Sequence, residues 1–522
     1  MGLLLTIAGG AAAFFVIGPD DTVQSGDQHL VSKGLAIAST PELLELHGPI
    51  LHVDARSANG KPVFVGVGRD FDVASYLKET AHTSLVQLTY PIALSTQESK
   101  GAVTPLPAPD SLDWWVAKGT GSLSWPIADG PYDVVIMSAD GKTAPDVQVR
   151  LGIELPHAFA IALAIFIGGL VILALGIVLI VVRRRPARPA PVVQEAAAPA
   201  PFGTTYRVIA GTAVLGLLTG CSVVPERDTV TTLTRPAITP EAGQAVIKRY
   251  NEVSTAAGRA RNEVQIGQVE AGDLVMQTRA AYAIGRSLKR PLPKPAPITK
   301  PTFAVPEYGT YPMRFVSTAG STVGVWQRDA AGSPWMQTLS ATLLKSAKLP
   351  DLTGLRPATN ADSKNFAMAP QTAPAALSQY LTAEGKSPQG ASFAVIPQFA
   401  TSFKELAVAR QYWHKNDPKA VQKITSTYSA ASPSSVFITK AGEAVVLATL
   451  SQEYLLVVGQ DPDTYFYWGS GEATAFSLPA THYKSALKST ALHDVVLIVP
   501  PKGKGKIRIA AYESQLVSAG GY

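Results

Sequence analysis
The stretch AFAIALAIFIGGLVILALGIVLIVV, Ala158–Val182, contains no charged residue and divides the rest of the chain. About 20 apolar residues cross the hydrocarbon core of a bilayer, so this run is long enough with room for tilt. No water is available there to satisfy backbone polar groups, which leaves a helix as the form for one segment. Arg183, Arg184, Arg185 and Arg188 follow directly. Basic residues gathered at one end mark the cytoplasmic side, so the helix is expected to leave the outside at His157 and arrive inside at Arg183. Ala160, Ala164 and Gly168 recur every four residues on one helix face. Such a stripe lets a second helix approach closely, which makes a homodimer through this face one expectation and ordinary membrane-helix composition the other.

Residues 183–206, with PARPAPVVQEAAAPAPFGTT at 186–205, read as a cytoplasmic basic Pro/Ala linker without apolar periodicity. Arg207 then precedes VIAGTAVLGLLTGC, which ends at Cys221, the one cysteine of the chain. A basic residue, an apolar run and Leu218-Thr219-Gly220-Cys221 together resemble a bacterial lipoprotein signal with its lipobox. The resemblance implies lipidation of Cys221, with Leu218, Thr219 and Gly220 as recognition residues, and cleavage before the cysteine. Such signals normally begin a chain, and this one is internal. A short membrane helix over 208–224, with Cys221 as an incidental small residue, and a membrane-surface segment therefore remain open. Under lipidation or re-crossing, the C-terminal part starts outside.

Composition fits an anchored protein. Mean hydropathy is +0.15, and charged residues make up 16% of 522, both apolar for a soluble chain. A single cysteine excludes an intrachain disulfide framework, so extracytoplasmic domains must stand on their cores. The net charge of +6 sits partly in the arginine cluster. No basic stripe with interleaved aromatics is present, and nucleic acid is not an expected partner. Residues 1–18 are apolar without a positive start and read as an N-terminal membrane anchor or a signal peptide.

Residues 20–155 read as an extracytoplasmic β-rich domain. Strand-like runs fall at 49–55, 62–68, 85–90, 122–125, 132–138 and 147–153, broken by Gly, Pro, Asn and Asp clusters, which suggests a sandwich. One helix is expected at about Asp72 to Thr80, capped by Asp70. PVFVGVGRDFDVASYL (62–77), DWWVAKGTGSLSW (113–125) and GPYDVVIMSADG (130–141), followed by a long helix and three arginines, resemble a family of actinobacterial membrane proteins. In that family one extracytoplasmic β-domain precedes a transmembrane helix, so the resemblance implies location and fold but no activity. Trp114, Trp115 and Trp125 are expected to fill the core rather than form a glycan- or peptide-binding platform.

Beyond residue 224 no membrane-length run occurs. Pro240 and Glu241 open a helical stretch to about Arg286, with breaks at Gly258, Gly267 and Gly272. Strand-like runs at 311–317, 322–329 and 334–343 follow. This order resembles the helix-plus-curved-sheet fold of cystatin-like and nuclear-transport-factor-like domains, and also actinobacterial lipoprotein-type sequences. A looser copy, with helical stretches near 375–383 and 403–423 and strands between 436 and 513, leads to the expectation of two α+β cone-like domains in tandem, 240–345 and 365–522. The expected fold class is a multidomain membrane protein: an all-β sandwich-like domain, transmembrane helices and tandem cones.

Catalytic signatures are sparse. The eight histidines are scattered; His52 and Asp54 would share a strand face without a third ligand, so no metal or cofactor is expected. Ser122 lacks the G-x-S-x-G context of a nucleophile elbow, and no phosphate-cradling loop with its lysine occurs. Tyr465, Tyr467 and Trp468 are expected in a core, with the wall of a cone pocket as the alternative. The preferred expectation is a non-enzymatic cell-envelope protein with extracytoplasmic binding modules, whose partners are the lipid bilayer and an envelope protein or glycan. The alternatives are an envelope enzyme using a C-terminal pocket, or an assembly or signalling subunit acting through helix packing.

Overall fold
The computed structural model describes residues 1–44, 48–89, 93–183 and 232–522, apart from 293, 295, 346, 395, 460–462, 479 and 480. The chain forms two compact units, Met1–Leu233 and Thr234–Tyr522. Arg184, Arg185, Arg188, Leu218, Thr219, Gly220 and Cys221, with most of the expected linker and all of the segment 208–224, lie outside the described residues.

The N-terminal unit opens with helix α1 (Gly2–Ala11), prolonged by a wider turn over Ala12–Ile17. There follow β1 (Thr22–Gln24), β2 (Gln28–Val31), β3 (Ala36–Ser39), β4 (Ile50–Ser57), β5 (Val63–Arg69), α2 (Asp70–Leu77), β6 (His82–Thr89) and β7 (Ala93–Ser99). The last elements are β8 (Ala117–Thr120), β9 (Ser122–Pro126), β10 (Tyr132–Ser138), β11 (Asp146–Glu154) and α3 (Ala158–Arg183). One sheet has the order β1-β11-β4-β9 with β2 also on β11; the other runs β7-β6-β3-β10-β5-β8. Leu51, Val53, Val147 and Val149 of the first meet Ile37, Val65, Val134 and Ile136 of the second in one core, the sandwich read from the sequence.

β5 and β10 are buried on both faces, because the six-stranded sheet also packs against α2 and the tryptophans. Gly66 and Gly68 explain the spacing in PVFVGVG. A Cβ on Gly66 would come within 2.7 Å of Trp115, and one on Gly68 within 2.7 Å of Trp114. These glycines seat the indole pair, whose ring centroids lie 4.0 Å apart. Trp114 and Trp125 are buried as expected, and the half-buried Trp115 donates to the Pro109 carbonyl. Asp70 is not the cap of α2 but its first residue, after Arg69 in extended conformation; its N–H is taken by the Pro131 carbonyl.

α3 is the one helix among the described residues long and apolar enough to cross a membrane. α1 lies antiparallel against it at backbone distance. A Cβ on Gly2 would sit 2.5 Å from the Leu173 nitrogen, and one on Gly9 2.5 Å from that of Phe166. A Cβ on Gly169 would sit 2.5 Å from the Thr6 nitrogen. Gly2, Gly9, Ala13, Ala162 and Gly169 are buried in this contact. The stripe Ala160, Ala164 and Gly168 is elsewhere: all three are exposed, and nothing lies within 4 Å of a Cβ on Gly168. The helix pair continues a strand pair, since β1 and β11 join through Thr22 and Glu154. Between strands and helices, the Asp21 carboxylate accepts the N–H groups of His157 (3.1 Å) and Phe159 (2.7 Å), capping the first turn of α3.

In the C-terminal unit come β12 (Arg235–Pro236), α4 (Pro240–Ala260), α5 (Glu263–Ile266), α6 (Gly272–Ser287), β13 (Thr302–Ala304), β14 (Glu307–Tyr308), β15 (Met313–Ala319), β16 (Thr322–Arg328) and β17 (Met336–Leu343). Then follow β18 (Arg356–Pro357), α7 (Ala373–Thr382), α8 (Pro397–Asn416), β19 (Val421–Ala430), β20 (Ser435–Ile438), β21 (Ala444–Val458), β22 (Ala486–Val499) and β23 (Arg508–Gly521). Thr239 caps α4 with Pro240 at its first position, accepting the Ala242 N–H. Gly267 and Gly272 fall at breaks, whereas Gly258 stays inside α4, which ends at Arg261 in the left-handed region. The two cone-like domains expected at 240–345 and 365–522 are replaced by one ten-stranded sheet, β13-β15-β16-β17-β23-β22-β21-β20-β18, with β19 also on β21. Pairing of Thr342 with Tyr512 and Leu343 with Ala511 fuses the two stretches. The sheet curls, so Val316, Val323 and Val325 share a core with Phe437, Leu447 and Val496. On the opposite face, Val446, Ala448, Val495 and Leu497 pack beneath Leu377, Leu381 and Phe399 of α7 and α8. Burial on both faces accounts for the nearly unbroken apolar runs of β21 and β22.

The hairpin contact is testable by disulfide trapping. With Cys221 replaced by Ser, cysteines at Ala13 and Ala162 should crosslink within one chain. Gly9→Leu should abolish the crosslink, because its side chain has only backbone to enter. Gly168→Leu should leave it unchanged, and equal loss in both variants would refute this packing.

Candidate functional site
At one end of the curled sheet, β18, the β20–β21 turn and the β22–β23 loop surround a recess of about 420 Å³. Its lining combines Arg356, Asp362, Asn365 and Lys440 with Phe366, Ile438 and Pro501. The segment after β18 builds the polar wall. Thr359 caps a short helical turn over Asn360–Asn365, and Asp362 closes the reciprocal box by accepting the Thr359 N–H at 2.8 Å. The same carboxylate accepts the Thr359 hydroxyl (2.9 Å) and two Arg356 N–H groups, at 2.9 and 2.6 Å. The Arg356 guanidinium, followed by the Thr359 donors, holds Asp362 well below the usual carboxylate range. Asp362 thus stays ionised and engaged near neutral pH, which suits it to fix Arg356 rather than to shuttle protons.

The family described as a domain of unknown function (DUF8094) matches residues 234–521. The chain belongs to this family. The match coincides with the compact C-terminal unit, so the curled sheet, its helices and the recess are together the DUF8094 domain. No curated protein and no solved structure matches the chain.

The DUF8094 domain also buries a polar layer beneath α6. Asp494 is fully buried on β22 and accepts the Thr449 hydroxyl at 2.7 Å and the Ser340 N–H at 3.4 Å. Burial raises its pKa to about 7, with Asp273 adding repulsion. Glu270, just before α6, accepts the Tyr250 hydroxyl at 2.9 Å and is likewise pushed up to about 7 by burial. His493 points to the other face, between Tyr512 (2.9 Å) and Gln452 (2.8 Å), and burial lowers its pKa to about 4. None of these residues lines the recess.

The residues singled out from the sequence are not gathered in one site. Arg183 ends α3, while Ala160, Ala164 and Gly168 lie exposed on the same helix. Among the described residues no group of three His, Cys, Asp or Glu is arranged to hold a metal; His52 is bonded instead to Ser124 and Glu154. The aromatic run splits by strand-like alternation. Phe466 and Trp468 pack into a core with Trp413, but Tyr465 and Tyr467 are 45% and 54% exposed. That corrects the core expectation for both tyrosines; Tyr465 stacks on His482 with centroids 3.9 Å apart. Arg356, Asp362 and Lys440 carry no shared sequence signature because they come from a two-residue strand, a short helical turn and a hairpin turn far apart in the chain. The capping pattern Thr359-x-x-Asp362 was the one local signal present.

Between about pH 4 and 7 the folded domain holds a proton on Asp494 that the unfolded chain has released. Stability therefore falls as pH rises through this window. His493 acts in the opposite sense between about pH 4 and 6.5, so the variant comparison is the decisive one. On going from pH 5 to pH 8, wild type should lose about 3 kcal/mol more than Asp494→Asn in denaturant unfolding. Equal losses would remove the titration of Asp494 from the account.

Proposed function
We propose that this chain is a membrane-anchored cell-envelope protein that displays the sandwich and the DUF8094 domain outside the membrane as binding modules. The observation that carries the reading is the surface of α3. Ile167, Val171, Leu175, Leu179 and Val181 are each more than half exposed, on a helix without one charge between Ala158 and Val182. Apolar surface of this extent calls for lipid. The arginines that follow orient the helix with Arg183 inside, and the sandwich between α1 and α3 then lies outside. A binding role is favoured over catalysis because the recess offers an ion pair locked by its own hydrogen bonds.

Location is testable with single cysteines in a Cys221→Ser background. Lys61→Cys in the sandwich and Lys248→Cys in the DUF8094 domain should react with a membrane-impermeant maleimide in intact bacterial cells. Ala196→Cys in the linker should react only after permeabilisation. Protection of Lys61→Cys in intact cells would overturn the proposed orientation.

The same reading assigns the Leu218-Thr219-Gly220-Cys221 segment to the bilayer. Labelling by a fatty-acid analogue that disappears in Cys221→Ala, with a C-terminal fragment starting at Cys221, is the expected result for lipidation. Unlabelled full-length chains in both would assign the segment to a further membrane helix.

A further inference from the structure
Two features give the recess a cationic rim. The first is Lys440, at the β20–β21 turn. Its stem passes over Gly354, where a Cβ would meet the Lys440 Cε at 2.3 Å, and it forms no ion pair among the described residues. The charge of Arg356 is balanced by Asp362, whereas the Lys440 ammonium at the rim is felt by the fully exposed Asp351, whose carboxyl it helps to lower. The second is the β22–β23 loop, Pro500 to Ile507, which carries Lys502, Lys504 and Lys506, all exposed. The N–H of Lys502 donates to the Asn365 carbonyl at 2.9 Å, tying this basic loop to the wall of the recess. Beneath the cationic rim lies an apolar floor of Phe366, Ile438 and Pro501.

We propose that the recess binds a phosphate monoester carrying an apolar group, with the phosphate at Lys440 and the apolar part on Phe366 and Ile438. The proposal rests on the reading of the DUF8094 domain as a binding module and names its ligand class. Its volume is that of a small-molecule site. Lysine serves as a point charge toward phosphate without a fixed fork, and the loop lysines add positive potential that draws anions in. The chemistry is shared by a free phosphate ester and a phospholipid headgroup.

The test uses the full chain in neutral detergent micelles, with phenyl phosphate titrated calorimetrically. Saturable binding is expected, at least tenfold tighter than that of phenol or inorganic phosphate. Lys440→Met keeps the stem over Gly354 but removes the charge, and should weaken phenyl phosphate about tenfold or more. Lys248→Met, remote on α4, should change nothing. Competition by dihexanoyl phosphatidic acid would identify a lipid headgroup as the source, and its failure to compete a soluble ester. Absence of phenyl phosphate binding, or equal binding by wild type and Lys440→Met, would overturn the proposal. Either result would leave the maleimide experiment standing, so failure here is distinguishable from failure of the envelope reading.

Discussion
The backbone contact between α1 and α3 is the constraint from which the N-terminal unit is built. Two helices meet at glycine positions with no side chain between them, and the adjoining strands β1, just after α1, and β11, just before α3, pair in the same antiparallel sense. Asp21 bridges the two regimes by capping α3 with a residue that precedes β1. The sandwich is thereby held at both ends of its chain by one continuous antiparallel ladder. Its free strands close onto that ladder through β4 and the apolar core. The helix pair and the sandwich are consequently a single packed object with an apolar stem.

The DUF8094 domain solves a different problem. Its long strands β21, β22 and β23 are paired almost along their full length, and residues 444–450 of β21 and 495–499 of β22 are nearly all apolar and buried on both faces. One face is roofed by α7 and α8, and the other by the curl of the sheet itself. The two polar residues at the heart of β22 are both partnered: Asp494 with Thr449 and Ser340, His493 with Tyr512 and Gln452. A buried carboxyl held by two donors costs less than a bare one, yet desolvation still dominates its proton affinity. The ionic recess lies at the sheet's end, where turns and loops supply cations that the packed centre cannot accommodate.

Local patterns were legible in the sequence wherever one element carries its own signature. α3 is apolar in every direction, β4 alternates Leu51, Val53 and Ala55 with polar neighbours, and Thr239-Pro240 opens α4. What involved two distant elements was not legible. Ala160, Ala164 and Gly168 have the spacing of a packing stripe, and so does the neighbouring set of Ala162 and Gly169. Only the matching glycines of α1 decide between them. The same holds for Thr342 and Tyr512, separated by most of the domain, whose pairing merges two expected domains into one sheet. In the run 465–468 the alternation about the Phe466–Tyr483 bridge, not aromatic character, sets which rings face the core.

The order in which the hairpin is synthesised has its own consequence. α1 leaves the ribosome first, and about 140 residues of sandwich must follow before α3 exists to meet it. At typical elongation speeds this interval is on the order of ten seconds. Throughout it Gly2 and Gly9 present a bare backbone groove to any other apolar helix that passes. The late arrival of α3 makes the nascent chain receptive to foreign helices in a way the finished protein is not.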